Sequence, residues 1–258
     1  MQRAKIEAVV EPYRRGDYET ALQAAEGLRL GGGEITGPYC FFRGAVLAHL
    51  GRFEEAEVWL HRDIALRQND KDTRLLGIAC TTLGHLMLQT RRYDEAQECF
   101  EASLRHSPER GSGYRSMAEL CLLRGDNPVE ALRWAKLAID HEQADQGLSP
   151  EARKEEARKI NLGEHLATLA WATATATRDR SEVARFVTEA VDSVGAGSVA
   201  AAAQVQYQSG RAYAELGDIQ ASTQHYEEAA RLDPQGNWGR AARVALASSR
   251  SDGRYPLD

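Results

Sequence analysis

Two pairs of neighbouring side chains combine residue types that bind metals or transfer protons. Cys80 and His85 lie five residues apart on one predicted helix, and Glu164 directly precedes His165. Neither pair has a third ligand at a spacing that a local metal site needs. We therefore expect a core thiol and groove-lining histidines, and no metal site.

Recognisable catalytic motifs are missing from the sequence. It contains no GxGxxG, no phosphate-binding GxxxxGK, no GxSxG, no HExxH and no DxDxDG segment. The seven histidines are dispersed along the chain. We predict a protein that is not an enzyme and binds no cofactor, while convergence of distant residues into an active site stays open as an alternative.

The charge balance excludes several kinds of partner. Among 258 residues, 32 Lys and Arg face 38 Asp and Glu, which gives a net charge of -6. Such a chain does not attract nucleic acid or an anionic membrane. Its apolar runs are short, and its start resembles neither a signal peptide nor a spanning helix. We expect a cytoplasmic protein, although removal of a leader would leave the same sequence, so a secreted or periplasmic location stays open.

The four cysteines are predicted to be structural. They lie inside apolar helical patterns, and no two of them form a CxxC pair. A disulfide framework or a zinc site would need closer or more regular spacing. We interpret them as small core residues: Cys40, Cys80, Cys99 and Cys121.

One turn-and-helix motif recurs along the chain, and each copy combines a tight turn with acidic residues near a helix N-terminus. The copies are GDYETAL, GRFEEAE, RRYDEAQ, GDNPVEAL, GDIQAST and, more weakly, RDRSEVA. They align on Ala21, Ala56, Ala96, Ala131, Val183 and Ser222, with separations of 35, 40, 35, 52 and 39 residues. The shortest separations are close to a repeat of about 34 residues.

The residues around these turns match a known repeat. Gly84 precedes Ala96, Phe100 and Pro108 at tetratricopeptide spacing. The neighbourhoods of Gly44 and of Gly210 match in the same way, and the chain resembles the tetratricopeptide repeat family over nearly its whole length. Two units depart from the pattern, because the first has Val9 and the fifth has Trp171 where a small residue is expected.

Small residues in register also have a physical reason. Two antiparallel helices approach closely only where one offers a Gly or an Ala, so Gly84 is expected to face Ala96. A single hairpin leaves one face uncovered and must stack on its neighbours. We predict an all-α solenoid of about six helical hairpins with a long inserted helix and a C-terminal capping helix. An ordinary helical bundle is the alternative, but it need not repeat Gly, Ala and Pro in register.

Departures from periodicity suggest the organisation of the chain. Gly31 to Gly33 are expected to connect the first two hairpins, and Ser149 and Pro150 to start a long helix. The predicted division has four hairpins in 1–142, the inserted linker and the start of the long helix in 143–163, two further hairpins and the capping helix in 164–250, and a disordered tail in 251–258.

The resemblance implies where a partner binds. In this family the first helix of each hairpin lines the concave face, through side chains three before and one after the small residue. Those positions are Ile6, Val10, Phe41, Ala45, Thr81, His85, Arg115, Glu119, Thr168, Ala172, Tyr207 and Arg211. The Lys and Asn set that binds chaperone carboxylates in some members is missing from these positions.

These positions predict a protein-binding function. We expect a monomeric, non-enzymatic adaptor or scaffold that holds a peptide or helix of another protein in its concave groove. The best aromatic anchors are Phe41 and Tyr207. A self-assembling or regulatory subunit of a larger complex, acting through its convex face or its inserted helix, is the alternative.

Overall fold

The computed structural model describes residues 2–29, 35–68, 73–144 and 152–252. The predicted Gly31–Gly33 connection, the predicted helix start at Ser149 and Pro150, and residues 253–258 of the tail lie outside these ranges. The chain divides into two compact units, Met1–Pro108 and Glu109–Asp258. The finer division expected from the sequence stays a prediction.

The first unit contains three helical hairpins. In each hairpin the first helix packs against the second. A short 3-10 turn, Glu26–Leu28, follows the first hairpin. The helices are α1 Gln2–Arg14, α2 Tyr18–Ala25, α3 Gly37–His49, α4 Phe53–Arg67, α5 Thr73–Gln89 and α6 Tyr93–His106.

The second unit contains three more hairpins and a closing helix that packs on α11 and α12. Its helices are α7 Gly111–Arg124, α8 Pro128–Ala144, α9 Ala152–Ala176, α10 Arg180–Val194, α11 Val199–Glu215, α12 Ile219–Leu232 and α13 Asn237–Asp252. The predicted all-α architecture of six hairpins and a capping helix is therefore confirmed. The long inserted helix and the first helix of the fifth hairpin are one element, α9, which has 25 residues.

Every hairpin turns at a residue with left-handed backbone. Four of these residues are glycines with φ between 70° and 77°, and two are arginines with φ of 59° and 58°. A left-handed residue ends the first helix and reverses the chain. Because the following helix then needs a cap, an aspartate follows the turn in several hairpins. The six residues are Gly16, Gly51, Arg91, Gly125, Arg178 and Gly217.

Three hairpins bring a glycine of the first helix against a large side chain sixteen positions later. A Cβ at Gly44 would lie 2.8 Å from Cγ of Leu60, and one at Gly210 would lie 2.7 Å from Cδ1 of Tyr226. At Gly84 the added carbon would overlap the ring of Phe100. The glycines therefore set the distance between the two helices of these hairpins.

In the fifth hairpin the large side chain lies on the first helix and the smaller one on the second helix. Trp171 stands at the position that is glycine in the three hairpins above, and Val187 stands sixteen positions later. Trp171, Val183 and Val187 are all buried in one hydrophobic cluster. A large residue on the first helix thus meets a smaller one on the second, which conserves the total volume. The departure at Trp171 is a difference in packing within the same register.

The buried thiol of Cys40 should react slowly. Burial, with a smaller contribution from the Asp63 carboxylate, raises its pKa to about 11. A pKa two units above the ordinary value lowers the thiolate fraction on the order of a hundredfold. We expect iodoacetamide at pH 8 to alkylate Cys40 at least that much more slowly in the native protein than in urea, as measured by peptide mass spectrometry. Equal rates would contradict the burial.

Candidate functional site

Most of the predicted partner-binding positions in the first unit are partly accessible. Phe41, Ala45 and His85 are half-buried, whereas Thr81 is 9% exposed. The Phe41 ring lies edge-on against Phe42, with 5.4 Å between centroids. Thr81 Oγ1 lies 2.7 Å from Oγ of Ser103, so this hydroxyl joins α5 to α6. That these positions bind a partner stays a prediction.

The predicted positions of the second unit are more deeply placed. Arg115 and Glu119 are 6% and 3% exposed, and Thr168 and Ala172 are fully buried. Tyr207 and Arg211 are half-buried. The structure brings Arg115, Glu119 and Thr168 together inside the unit, where they bond to each other and to residues that the register did not select. A role in binding a partner stays a prediction for all six positions.

A row of hydrogen-bonded polar side chains crosses α7, α9 and α11. The Gln208 amide nitrogen donates to Oε1 of Glu119 over 2.7 Å. The hydroxyl of Thr168 lies 3.3 Å from that same carboxylate oxygen and 3.3 Å from Oε1 of Gln208. We call these three residues the closed row, because each of them lies within hydrogen-bond distance of both of the others, with the single Thr168 proton shared between its acceptors.

The closed row fixes the relative direction of the three helices. Arg115 pairs with Glu164, and Glu119 pairs with Thr168 four residues further along both helices, so α7 and α9 are parallel. Thr168 meets Gln208, and Trp171 lies under Arg211, so α9 and α11 are parallel as well. Counting back one turn from the closed row on the same three helices selects Arg115, Glu164 and Gln204 as a second row, in which Arg115 contacts Glu164.

This second row, the open row, is incompletely bonded. Arg115 donates from Nη1 to Glu119 over 2.5 Å, and its Nη2 lies 3.4 Å from Oε2 of Glu164. Arg115 Nε and Gln204 Nε2 are buried and donate no hydrogen bond to any residue that the structure describes. The side chain of Glu164 is 18% exposed, against 8% for Arg115, so the row reaches solvent at Glu164.

Burial and like charges act on the ionisable groups of the open row. Burial raises the pKa of Glu164, and the carboxylates of Glu119 and Glu142 raise it further against the opposing effect of Arg115. Burial by itself would lower the pKa of Arg115, but Glu119 and Glu164 outweigh it, and the net shift is upward. Arg115 therefore stays charged, and Glu164 holds its negative charge at a cost.

A second ionisable pair lies beside the open row. His165 is 1% exposed, and its Nε2 lies 3.4 Å from Oε2 of Glu142. Burial lowers the pKa of His165. Burial would raise the pKa of Glu142, but the bond to His165, together with Asn161 and Arg110, lowers it. Within the described ranges, no three His, Cys, Asp or Glu side chains come together in a way that could hold a metal ion.

The aromatic anchor predicted at Tyr207 packs beneath the closing helix. Its ring centroid lies 5.6 Å from Tyr226 and 5.6 Å from Trp238, which belongs to α13. The guanidinium carbon of Arg211 lies 4.5 Å from the centroid of Trp171, a cation–π distance. These contacts place Tyr207 beside α13, and its role as an anchor stays a prediction.

Sequence reasoning missed half of the two rows. Glu164 was noted only as a neighbour of His165, and Gln204 and Gln208 were not selected. The signal that could have found them is the four-residue spacing on parallel helices, since Glu164 precedes Thr168 and Gln204 precedes Gln208 by one turn.

Family models decide the identity of the fold. A model described as tetratricopeptide repeat matches residues 81–154, and a second with the same description matches residues 203–235. The second match covers most of the α11–α12 hairpin, including the Gly210–Tyr226 contact. The chain is a tetratricopeptide repeat protein. The resemblance drawn from the sequence is confirmed.

Solved structures share the fold of this tetratricopeptide repeat protein. NprR in complex with its cognate peptide NprX is 9% identical, with a TM-score of 0.64 over 97% of this chain and 73% of that one. BtubC from P. vanneervenii is 18% identical, with a TM-score of 0.51 over 94% and 91%. MamA from Desulfovibrio magneticus RS-1 is 17% identical, with a TM-score of 0.45 over 74% and 93%. At these identities the similarity to NprR and BtubC concerns the fold alone.

A sequence search and the composition of the helices add two findings about the tetratricopeptide repeat protein. No curated protein sequence matches it significantly. None of its described helices has an apolar stretch long enough to cross a membrane.

Proposed function

We propose that this protein is a non-enzymatic adaptor that holds a peptide or helix of a partner protein against the first helices of its hairpins. One observation carries the proposal. In the second unit, α7, α9 and α11 run parallel, and polar side chains from all three meet in the closed row. A fixed layer of parallel helices offers a bound segment evenly spaced side chains with little cost of ordering.

The similarity to NprR supports this interpretation of the fold. That protein was solved with a peptide bound, and its chain superimposes on nearly the whole of this one. A stack of helical hairpins of this kind is therefore compatible with peptide binding. The identity of the partner does not follow from the similarity.

Binding to the first helices is tested best at Phe41, which is half-buried on α3. We expect Phe41→Asp to reduce the capture of partner proteins from native lysate by the tagged full-length chain. An aspartate in the contact would lose the buried apolar area and add a charge to be desolvated. Quantitative mass spectrometry of the captured proteins provides the measurement, and circular dichroism checks that helix content is unchanged.

The matched control is Val58→Asp on the second helix of the same hairpin. Val58 is 64% exposed, so the substitution introduces the same charge without disturbing the core. We expect it to capture the same proteins as wild type. If Val58→Asp lost capture while Phe41→Asp captured normally, the partner would bind to the second helices. That result would contradict the proposal.

A self-assembling or regulatory subunit is the second candidate, favoured by the apolar side chains that the second helices expose. Val58 and Leu66 on α4, Val129 on α8 and Ile219 on α12 are between 46% and 71% exposed. Such residues are often covered by another protein surface. Light scattering after size exclusion separates the two candidates, since a concentration-independent monomer supports the adaptor and a stable dimer supports assembly.

A further inference from the structure

The open row is polar and buried, yet some of its hydrogen-bonding groups are unused. Arg115 and Gln204 are each 6% exposed, and Arg115 Nε and Gln204 Nε2 have no acceptor among the described residues. A buried donor without an acceptor is destabilising, because it has lost its hydrogen bonds to water and gained none in the protein. In the neighbouring closed row, built from the same three helices, no buried polar side-chain atom lacks a hydrogen-bond partner. The difference between two adjacent rows points to a group that the open row receives from outside.

Glu164 supplies the complementary acceptor. The only described partner of its carboxylate is Arg115, at 3.4 Å, which is longer than a hydrogen bond between these groups. Its side chain is also the most accessible of the Arg115–Glu119–Glu164 set, at 18%. An entering group would therefore meet the Glu164 carboxylate first and the two buried donors behind it.

We propose that the open row binds an amide group of the segment that the adaptor holds. The amide oxygen accepts from Arg115 Nε and Gln204 Nε2, and the amide N–H donates to the Glu164 carboxylate. This inference rests on the proposed adaptor function and adds the chemistry of one subsite to it. Binding includes adjustment of the Arg115 and Gln204 side chains, because both are nearly covered.

The charges near the row favour an amide over an ion. A carboxylate would accept from the two donors but would face the carboxylates of Glu164 and Glu119, with Arg115 as their shared counter-ion. An ammonium group would pair with Glu164 but would approach the Arg115 guanidinium and leave both donors without an acceptor. A neutral amide carries both a donor and an acceptor, and it adds no charge to a buried site.

Four small probes test the chemistry of the subsite. Acetamide represents an Asn or Gln side chain, N-methylacetamide represents a main-chain amide, and acetate and methylammonium represent the two ions. Each is titrated into the ¹⁵N-labelled full-length chain while the side-chain and backbone amide resonances of Gln204 and Arg115 are followed by NMR. We expect saturable shifts with at least one of the two amides, and the stronger of them identifies the source of the group.

Substitution of Gln204 tests whether the amide probes bind at the open row. Gln204→Met keeps the length of the side chain and removes the donor, so the apparent affinity for the amide probe should fall roughly 3- to 10-fold. Gln220→Met, an exposed position on α12, should leave the affinity unchanged. The Arg115 resonances report binding in both variants, and melting curves show whether either of them is less folded.

Several outcomes would overturn the inference. They are shifts that do not saturate with either amide, larger saturable shifts with acetate or methylammonium, and equal affinities in Gln204→Met and Gln220→Met. If the amides fail while Phe41→Asp still abolishes capture from lysate, the adaptor stands and the amide subsite falls. If the amides bind while Phe41→Asp captures normally, the amide subsite is supported. The proposal that the first helices of all hairpins hold the partner is then contradicted.

Discussion

The Glu119→Ala variant is expected to lose about 3 to 5 kcal/mol of its free energy of unfolding. Glu119 is 3% exposed and accepts hydrogen bonds from Arg115, Thr168 and Gln208 through one oxygen. Its removal leaves a buried guanidinium with Glu164 alone, at 3.4 Å, and removes an acceptor of two further side chains. A buried charge that loses its main partner is among the most destabilising changes known for single substitutions.

Urea unfolding followed by tryptophan fluorescence measures this effect in the second unit. Trp134, Trp171 and Trp238 belong to that unit, and Trp59→Phe removes the fluorescence of the first unit. Glu227→Ala, at an exposed position of α12, is the control and should unfold near wild type. Similar midpoints for Glu119→Ala and Glu227→Ala would show that the closed row contributes little to stability.

The second large effect is expected at Gly84. Leucine at this position should lower the free energy of unfolding of the first unit by about 1 to 3 kcal/mol, because its Cβ alone would overlap the ring of Phe100. The helices α5 and α6 would have to separate, or Phe100 would have to leave its rotamer. Unfolding in urea, followed through Trp59 fluorescence, provides the measurement.

Two variants separate overpacking from a general effect of the substitution. Gly27→Leu is the matched control, because no atom lies within 4 Å of a Cβ at that position. The double variant Gly84→Ala with Phe100→Leu reduces the second side chain while it enlarges the first, as Trp171 and Val187 do naturally. We expect it to be more stable than Gly84→Ala alone. Additive effects in this pair would exclude direct contact as the cause.

The hairpins could be predicted from the sequence because their determinants are local. A left-handed turn residue, an acidic N-cap and a small residue opposite the next helix all lie within about thirty positions. These features identified the six hairpins and the closing helix. They also explain why Trp171 looked irregular, since the compensating Val187 lies on the other helix and only packing shows that their volumes are exchanged.

The two polar rows could not be predicted because they depend on rotation between separate hairpins. Glu119 and Gln208 are 89 residues apart, and no local pattern brings them together. The repeat register selected Arg115 and Glu119 as partner-binding positions but did not indicate that both side chains are nearly covered. The rotation of each helix about its own axis decides how far a side chain is covered, and spacing along one helix does not determine that angle.

The closed row also bears on how the second unit unfolds. A stack of repeats with only nearest-neighbour contacts can lose an end hairpin while the others persist. Here one carboxylate of the fourth hairpin bonds directly to the fifth and the sixth, so loss of any one of them leaves buried polar groups unpaired in the others. The last three hairpins should therefore melt as one cooperative block, in which partial opening at an end is rarer than in a simple array of repeats.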